Sequence, residues 1–226
     1  MSDALRREYH GEGLTESELA ATPWEQARVW VDDAVYRAAE RDDVPEPLAM
    51  SLATIDAAGR PDVRTVLMRF FDPSGPGFVS NLESTKGVQI AGNPAVAAAI
   101  VCPAMYRAIR FRGMARQLGR EEVERYFHER PWGSRIGAWA SRQSQVIRCR
   151  SGLEESYQRY AARWPDRGGP TDVPVPDAWG GFRIICEEVE FWAGRTNRLH
   201  DRLVFLRVDD GGLDDASAWR VERRQP

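Results

Sequence analysis

The sequence has few cysteines and histidines, and it contains no long apolar run. Its three cysteines are odd in number and widely spaced, which predicts free thiols in a reducing cytoplasm. The three histidines are scattered and form no metal-ligand spacing with the cysteines, so we expect no metal. No run approaches the roughly 20 apolar residues of a membrane span, and the polar N-terminus lacks a signal-peptide core. These features predict a cytoplasmic protein that does not bind membranes.

The chain also lacks an excess of positive charge. Its formal net charge is -3 over 226 residues, so there is no basic field that would favour a nucleic acid partner. A hydrophobic content of 42% is sufficient for a substantial core. No repeat and no linker divides the sequence. We therefore expect an N-terminal arm over residues 1–21 and a single domain over residues 22–226.

The periodicity of apolar residues predicts a mainly β fold with peripheral helices. Thr22 and Pro23 have the residue types of an N-cap and a first helical position, and the helix that they begin should end before Val44. From Ala49 the apolar period changes to two. Strands are predicted at 49–56, 62–71, 76–81, 95–102, 106–118, 182–186, 188–192, 203–208 and 219–222, and further helices at 84–93, 120–129 and 153–164. Their hairpin-like order indicates an antiparallel barrel or sandwich.

Two clusters of polar side chains stand out from this pattern. The first lies in residues 126–144 and contains Tyr126, Arg130, Ser134, Arg135, Gln143 and Ser144. Arginine, serine and tyrosine at short spacing are suitable donors to a phosphate, although an ordinary amphipathic helix with a polar loop would also explain the segment. The second lies in residues 190–202 and contains Trp192, Arg198, His200 and Arg202. The presence of both clusters favours a ligand site.

A third feature is the segment Ser-Thr-Lys-Gly at residues 84–87, which opens a short predicted helix. The N-terminus of a helix presents free N–H groups and the positive end of its dipole, so it suits a phosphate. Ser84 could simply cap the helix. Lys86 argues against that simpler interpretation, since a cation in the first turn is unfavourable unless an anion is bound.

At these clusters the sequence closely resembles the pyridoxine/pyridoxamine 5'-phosphate oxidase family, flavin enzymes that make pyridoxal phosphate. The match is nearly full length. Its motifs are LRREY at residues 5–9, RTVLM at 64–68, NLESTKG at 81–87, RPWGSRIGAWASRQS at 130–144, WGGFR at 179–183 and EFWAGRTNRLHDR at 190–202. The pieces around residues 136–144 and 198–202 are specific to the family, whereas the hairpins alone are not.

The resemblance implies an antiparallel Greek-key split barrel over residues 22–226, which forms a homodimer with FMN at the subunit interface. The implied reaction is the oxidation of pyridoxine or pyridoxamine 5'-phosphate to pyridoxal 5'-phosphate, with O2 giving H2O2. By position, FMN would contact Arg64, Thr65, Val66, Leu67, Ser80, Lys86, Gln143, Ser144, Trp192 and Arg202. The substrate would contact Arg6, Tyr9, Arg69, Tyr126, Arg130, Ser134, Arg198 and His200. Of these, Arg198 and His200 are the catalytic candidates that would place the pyridine ring over the flavin, and Arg6 and Tyr9 belong to the closing arm.

The sequence departs from the family pattern at Arg69, where lysine is usual, and at Val79, Thr85 and Ala108, where tyrosine, arginine and glutamine are common. The last three positions lie around FMN in the family. Loss of a charge-assisted contact at Thr85 and of a hydrogen bond at Ala108 predicts FMN binding weaker by about ten- to a thousandfold.

Three functions remain open: a vitamin B6 phosphate oxidase with an altered flavin pocket, a paralogous flavin oxidase of a secondary-metabolite pathway acting on another ring, or a non-catalytic protein that binds pyridoxal phosphate or flavin.

Overall fold

The computed structural model describes residues 8–226, and over this range nine strands form one curled antiparallel sheet with five α-helices around it. The helices are α1 (Pro23–Glu40), α2 (Thr85–Gly92), α3 (Arg120–Glu129), α4 (Trp132–Ala140) and α5 (Arg150–Arg163). The strands are β1 (Ala49–Ile55), β2 (Pro61–Leu67), β3 (Phe70–Asp72), β4 (Gly75–Asn81), β5 (Ala95–Cys102), β6 (Arg107–Gln117), β7 (Trp179–Ala193), β8 (Asp201–Arg207) and β9 (Trp219–Arg223). The sheet encloses the main apolar core, which α1 covers with Ala27, Trp30 and Val31.

The long strand β7 organises the sheet. One of its edges pairs with β6 along nearly the whole strand, while its other edge pairs first with β4 and then with β8. The sequence pattern predicted two strands here, at 182–186 and 188–192, and that prediction was wrong. Arg112 pairs with Glu188 but Gly113 pairs with Cys186, so Glu187 is the extra residue of a β-bulge inside one continuous strand.

The predicted strand over residues 62–71 is likewise different in the structure. β2 ends at Leu67, and the chain then changes its hydrogen-bonding partner from β1 to β4. The N–H of Met68 donates to Leu48 O at 2.8 Å, whereas the N–H of Arg69 donates to Gly77 O at 2.8 Å. This change of partner interrupts the strand and brings Arg69 beside β4.

The helix starts follow local chemistry. Thr22 caps α1, because its hydroxyl accepts a hydrogen bond from the Glu25 N–H at 3.2 Å, as predicted. α5 begins earlier than residue 153, where the sequence placed its start. An ion pair between Arg150 and Glu154 at 2.9 Å spans that additional first turn and stabilises it.

A second, smaller core joins α3, α4 and α5. Phe127, Ile136 and Val173 are fully buried at its centre, and aromatic side chains from α4 and α5 pack around them. This core fixes the position of α4 and therefore of the polar side chains on it. In the part of the chain that is described, no helix is long and apolar enough to cross a membrane. All three cysteines are free thiols, as predicted.

Candidate active site

A cavity of about 660 Å³ opens between β2, β4 and the starts of α2 and α4. It brings together predicted residues from sequence positions as distant as Thr65 and Gln143. The predicted site residues on its wall are Thr65, Val66, Leu67, Arg69, Ser80, Lys86, Tyr126, Arg130, Ser134 and Gln143. Glu129, Pro131 and Trp179 also line it, although the sequence analysis gave them no role. The motif around Trp179 was recognised, but only the folded structure shows that its ring faces this cavity.

Lys86 forms one anion-binding part of the cavity. Lys86 as a residue is 7% exposed, and its ammonium donates to Ser80 Oγ at 3.0 Å, Gln143 Oε1 at 3.0 Å and Ser84 Oγ at 3.3 Å. All three acceptors are neutral, and no carboxylate among residues 8–226 forms an ion pair with it. Burial, followed by the positive charge of Arg64, lowers the pKa of Lys86.

An uncompensated buried cation is unfavourable unless an anion completes the site. Lys86 also lies in the first turn of α2, where the helix dipole adds to the positive potential. Ser84 does cap this helix, since its hydroxyl accepts from the Gly87 N–H, but the cap leaves the ammonium without a negative partner. The residues here therefore fit the terminal phosphate of a cofactor such as FMN.

Arg130 forms the second anion-binding part of the cavity. Its guanidinium lies over the ring of Trp179, with 4.3 Å from Cζ to the ring centroid, and its buried Nη1 has no hydrogen-bond partner within residues 8–226. Burial lowers the pKa of Arg130, and the nearby positive charge of Arg69 acts in the same direction. Tyr126 and Ser134 add hydroxyl groups to the same wall. Two guanidinium groups with two hydroxyls are suited to a phosphate dianion.

Other predicted residues gather at the far end of β7. The ring of His200 lies 4.7 Å from Trp192 and 5.3 Å from Tyr9, measured between ring centroids. Burial, followed by the positive charge of Arg198, lowers the pKa of His200 and favours its neutral form. Its Nδ1 accepts a hydrogen bond from the Arg195 N–H at 3.1 Å, so the proton of the neutral ring is on Nε2. His200 therefore presents a hydrogen-bond donor.

Arg198 is exposed on a strained turn beside His200. Asn197 and Arg198 have φ angles of 55° and 62°, in the left-handed region that residues with a Cβ rarely occupy. Such backbone conformations concentrate at ligand sites. Arg202 differs, because the Nε and Nη2 edge of its guanidinium already donates to Glu190, at 2.7 and 3.1 Å, and its Nη1 donates to Gln225 O at 3.1 Å. The buried Glu190 thus fixes the orientation of Arg202 before any ligand binds.

Some predicted residues do not line the cavity within one chain. Strands β2, β1, β5, β6 and β7 lie side by side in that order, so Leu67 and Trp192 are about 19 Å apart along the sheet. Trp179 and Trp192 are separated by roughly 40 Å of strand. Arg64 binds Asp62 and Gln89 beneath α2 instead of facing the cavity. Ser144 lines a neighbouring cavity of about 670 Å³.

Two residues need separate mention. Arg6 lies outside the described residues. Arg135, which the sequence placed in the first polar cluster, is turned away from the cavity, because its guanidinium binds the carbonyl oxygens of Gly169 and Pro170. It holds the loop before β7 in place.

The positions that depart from the family pattern lie both near the cavity and near Trp192. Val79 lines the cavity, and Thr85 is exposed at the first residue of α2. Ala108 lies opposite Trp192 in the β6–β7 pairing. The prediction of weaker FMN binding thus concerns both ends of the site and stays a prediction.

Comparisons with known proteins agree with this arrangement. A family model described as "Pyridoxamine 5'-phosphate oxidase" matches residues 37–162, and one described as "Pyridoxine 5'-phosphate oxidase C-terminal dimerisation region" matches residues 179–226. Two relatives named pyridoxine/pyridoxamine 5'-phosphate oxidase are similar over nearly the full length. The protein from Streptomyces avermitilis is 46% identical over 99% of this chain and 95% of its own, and that from Kineococcus radiotolerans is 44% identical over 98% and 97%.

Solved structures confirm the predicted split-barrel fold. PhzG from Burkholderia lata 383, in complex with tetrahydrophenazine-1-carboxylic acid, superimposes with a TM-score of 0.82 at 24% identity, covering 96% of this chain and 100% of that one. A pyridoxamine 5'-phosphate oxidase-related, FMN-binding protein from Nostoc punctiforme PCC 73102 gives a TM-score of 0.68 at 18% identity, covering 92% and 100%. At these identities the likeness concerns the fold alone.

Proposed function

Because this chain belongs to the pyridoxine/pyridoxamine 5'-phosphate oxidase family and is an FMN-dependent oxidoreductase, we propose that it oxidises pyridoxine or pyridoxamine 5'-phosphate to pyridoxal 5'-phosphate. Oxygen is reduced to hydrogen peroxide in this reaction. The observation that carries the proposal is that one cavity holds two separate sets of anion-binding groups, one around Lys86 and one around Arg130. Two sets are needed when cofactor and substrate each carry a phosphate.

Ser80, Lys86 and Gln143 would hold the phosphate of FMN, and residues 65–67 of β2 would lie along the rest of the cofactor. FMN supplies a hydride acceptor for the C4' carbon of the substrate and a route for its electrons to oxygen. Lys86 needs no proton transfer for this role, since it acts as a fixed positive charge. The protein thereby contributes binding and orientation.

The substrate phosphate would bind Arg130, Arg69, Tyr126 and Ser134. The contact of the Arg130 guanidinium with the face of the Trp179 ring restricts its orientation before the substrate arrives. His200 would donate from Nε2 to the pyridine ring or its substituents, and Arg198 would add a positive charge beside it. These contacts would fix the reacting carbon over the flavin.

The distance between the two groups of residues supports a homodimer. The C-terminal region matches a dimerisation region, and the outer face of the sheet between the groups carries small or exposed apolar residues. Among them are Ala97 and Ala99, which are partly exposed, and Val101, which is 57% exposed. A twofold partner on this face would bring its own Trp192 and His200 to the cavity. We propose that FMN lies at that interface.

The first test is to purify the protein, add FMN and record flavin absorbance, then supply pyridoxamine phosphate under air. We expect a yellow dimer that releases peroxide and the aldehyde in equal amounts. A yellow protein that ignores both B6 phosphates but oxidises another aromatic amine or alcohol would identify a paralogue with a different substrate. A colourless protein that does not take up FMN would contradict catalysis by this chain.

Replacing Arg198 with alanine tests the role of the residues around His200. We expect turnover to fall about 100-fold while FMN remains bound, because the substrate ring loses a group that aligns it. The measurement is kcat together with the FMN dissociation constant. Arg28→Ala is the matched control, since Arg28 is an exposed arginine of α1 that pairs with Asp32. Unchanged turnover in the Arg198 variant would refute its role.

A further inference from the structure

The chain before α1 lies across the site residues around His200 and Trp192. Tyr9 packs edge-on against Tyr106, Trp192 and His200, with ring centroids 5.3, 5.9 and 5.3 Å away. Gly11 lies so close to Gly194 that a Cβ on it would be 2.4 Å from the Gly194 carbonyl oxygen. Leu14 is buried, and its N–H donates to Asp201 Oδ2 at 3.0 Å. Residues 9–14 thus form a closely fitted strap over the loop that carries Arg198 and His200.

Two charged residues hold the end of this strap. Glu16 binds Arg223 of β9 through two parallel hydrogen bonds, Nε to Oε1 at 2.7 Å and Nη2 to Oε2 at 2.9 Å. The same guanidinium donates to Leu14 O at 3.2 Å and to Asp201 Oδ1 at 2.6 Å. Asp201 in turn accepts from Arg195 at the start of the loop. Arg223 therefore connects the strap, the last strand and the residue that follows His200.

We propose that the Glu16–Arg223 ion pair is a latch and that both are positioning residues, which keep Tyr9 seated against His200 and Trp192. The expected effect of this ion pair on turnover rests on the proposed function, whereas its expected effect on the opening of the strap does not. In this proposal the strap opens to admit a substrate to His200 and closes to hold its ring there. An exposed ion pair suits this, because such a pair contributes little free energy and breaks readily.

The geometry supports a pair of that kind. The Glu16 side chain is 60% exposed and that of Arg223 is 37% exposed, so water screens their attraction. The hydrogen bonds from Arg223 lower the pKa of Glu16 to about 2, so the carboxylate stays charged at neutral pH. Asp201 is only 11% exposed and keeps Arg223 in place when Glu16 leaves. The mobile partner is therefore Glu16.

The test uses the full chain and the variant Glu16→Gln, which preserves shape and removes the charge. We expect amide hydrogen exchange over residues 9–14 to become about two- to fivefold faster, since a bond of this strength no longer opposes opening. Glu12→Gln is the matched control, because Glu12 is exposed in the same strap and forms no ion pair within the described residues. Gly11→Ala provides the reference for an unseated strap. Unchanged exchange in Glu16→Gln would overturn the latch.

A kinetic cycle with Tyr9→Ala tests the positioning role. We expect Glu16→Gln to lower kcat/KM for pyridoxamine phosphate about two- to fivefold in the parent and to have no further effect in the Tyr9→Ala background. An equal loss in both backgrounds would show that Glu16 does not act through Tyr9. If the B6 phosphates prove not to be substrates, the proposed function fails and the exchange experiment still decides on the latch.

Discussion

Lys86→Met is expected to give a protein that folds at least as stably as the parent but binds FMN more weakly. Lys86 is buried and hydrogen-bonded only to neutral oxygens, so the apo protein carries the cost of an uncompensated cation. Methionine fills similar volume without that cost. The same substitution removes the charge that the cofactor phosphate requires.

The two effects have opposite signs, which makes the experiment specific. Loss of one charge-assisted hydrogen bond of about 1.5–3 kcal/mol predicts FMN affinity lower by about 10- to 150-fold. Thermal unfolding of the apo proteins should show an unchanged or higher Tm for the variant, and flavin titration should show the weaker binding. Arg60→Met is the matched control, because Arg60 is an exposed cation outside the cavity that pairs with Asp56, and this variant should bind flavin like the parent. A variant that loses stability and flavin together would mean that Lys86 is a structural residue.

Arg130→Gln is expected to raise the KM for pyridoxamine phosphate by about 10- to 150-fold, the equivalent of one charge-assisted contact. Its buried Nη1 has no hydrogen-bond partner in the described part of the chain, so that donor is available to a ligand. Unphosphorylated pyridoxamine should be affected far less, because it lacks the group that Arg130 binds. The measurement is the ratio of kcat/KM for pyridoxamine phosphate to kcat/KM for pyridoxamine. This ratio should be much lower in the variant than in the parent.

Arg125→Gln is the control for this second experiment. Arg125 lies on α3, close in sequence to Arg130, but its side chain is exposed and does not line the cavity. Its kinetics should match those of the parent. If Arg130→Gln lowers the kcat/KM of both compounds equally, then Arg130 supports the fold of the site and does not bind the substrate phosphate.

Local sequence chemistry predicted much of the fold. The bounds of β5 and α3 were predicted correctly, because alternation and helical spacing are strong over 95–102 and 120–129. The interruption after Leu67 and the bulge at Glu187 were missed. Both depend on which strand lies alongside, and periodicity within one segment contains no information about its neighbour.

The cavity brings together ten of the eighteen site residues that the resemblance implied, and their roles stay predictions. The direction of individual arginines was beyond the sequence. Arg64 and Arg135 are held by Gln89 and by the Gly169 carbonyl, respectively, and these partners are distant in sequence. A guanidinium binds whichever acceptors the fold brings within reach, so its role is decided by tertiary structure.

Lys86 is the only lysine in a chain with 31 basic Lys and Arg residues, and it is buried at the base of the cavity. Aldehydes form imines with primary amines such as that of lysine. The guanidinium of arginine does not react in this way under the same conditions. An enzyme that releases a reactive aldehyde would, with this composition, present no side-chain amine on its own surface to capture it. Lys86 is also the one lysine that an amine-directed reagent can label, and in the proposed complex the cofactor phosphate would cover its nitrogen, so labelling of Lys86 should be slower with FMN than without it.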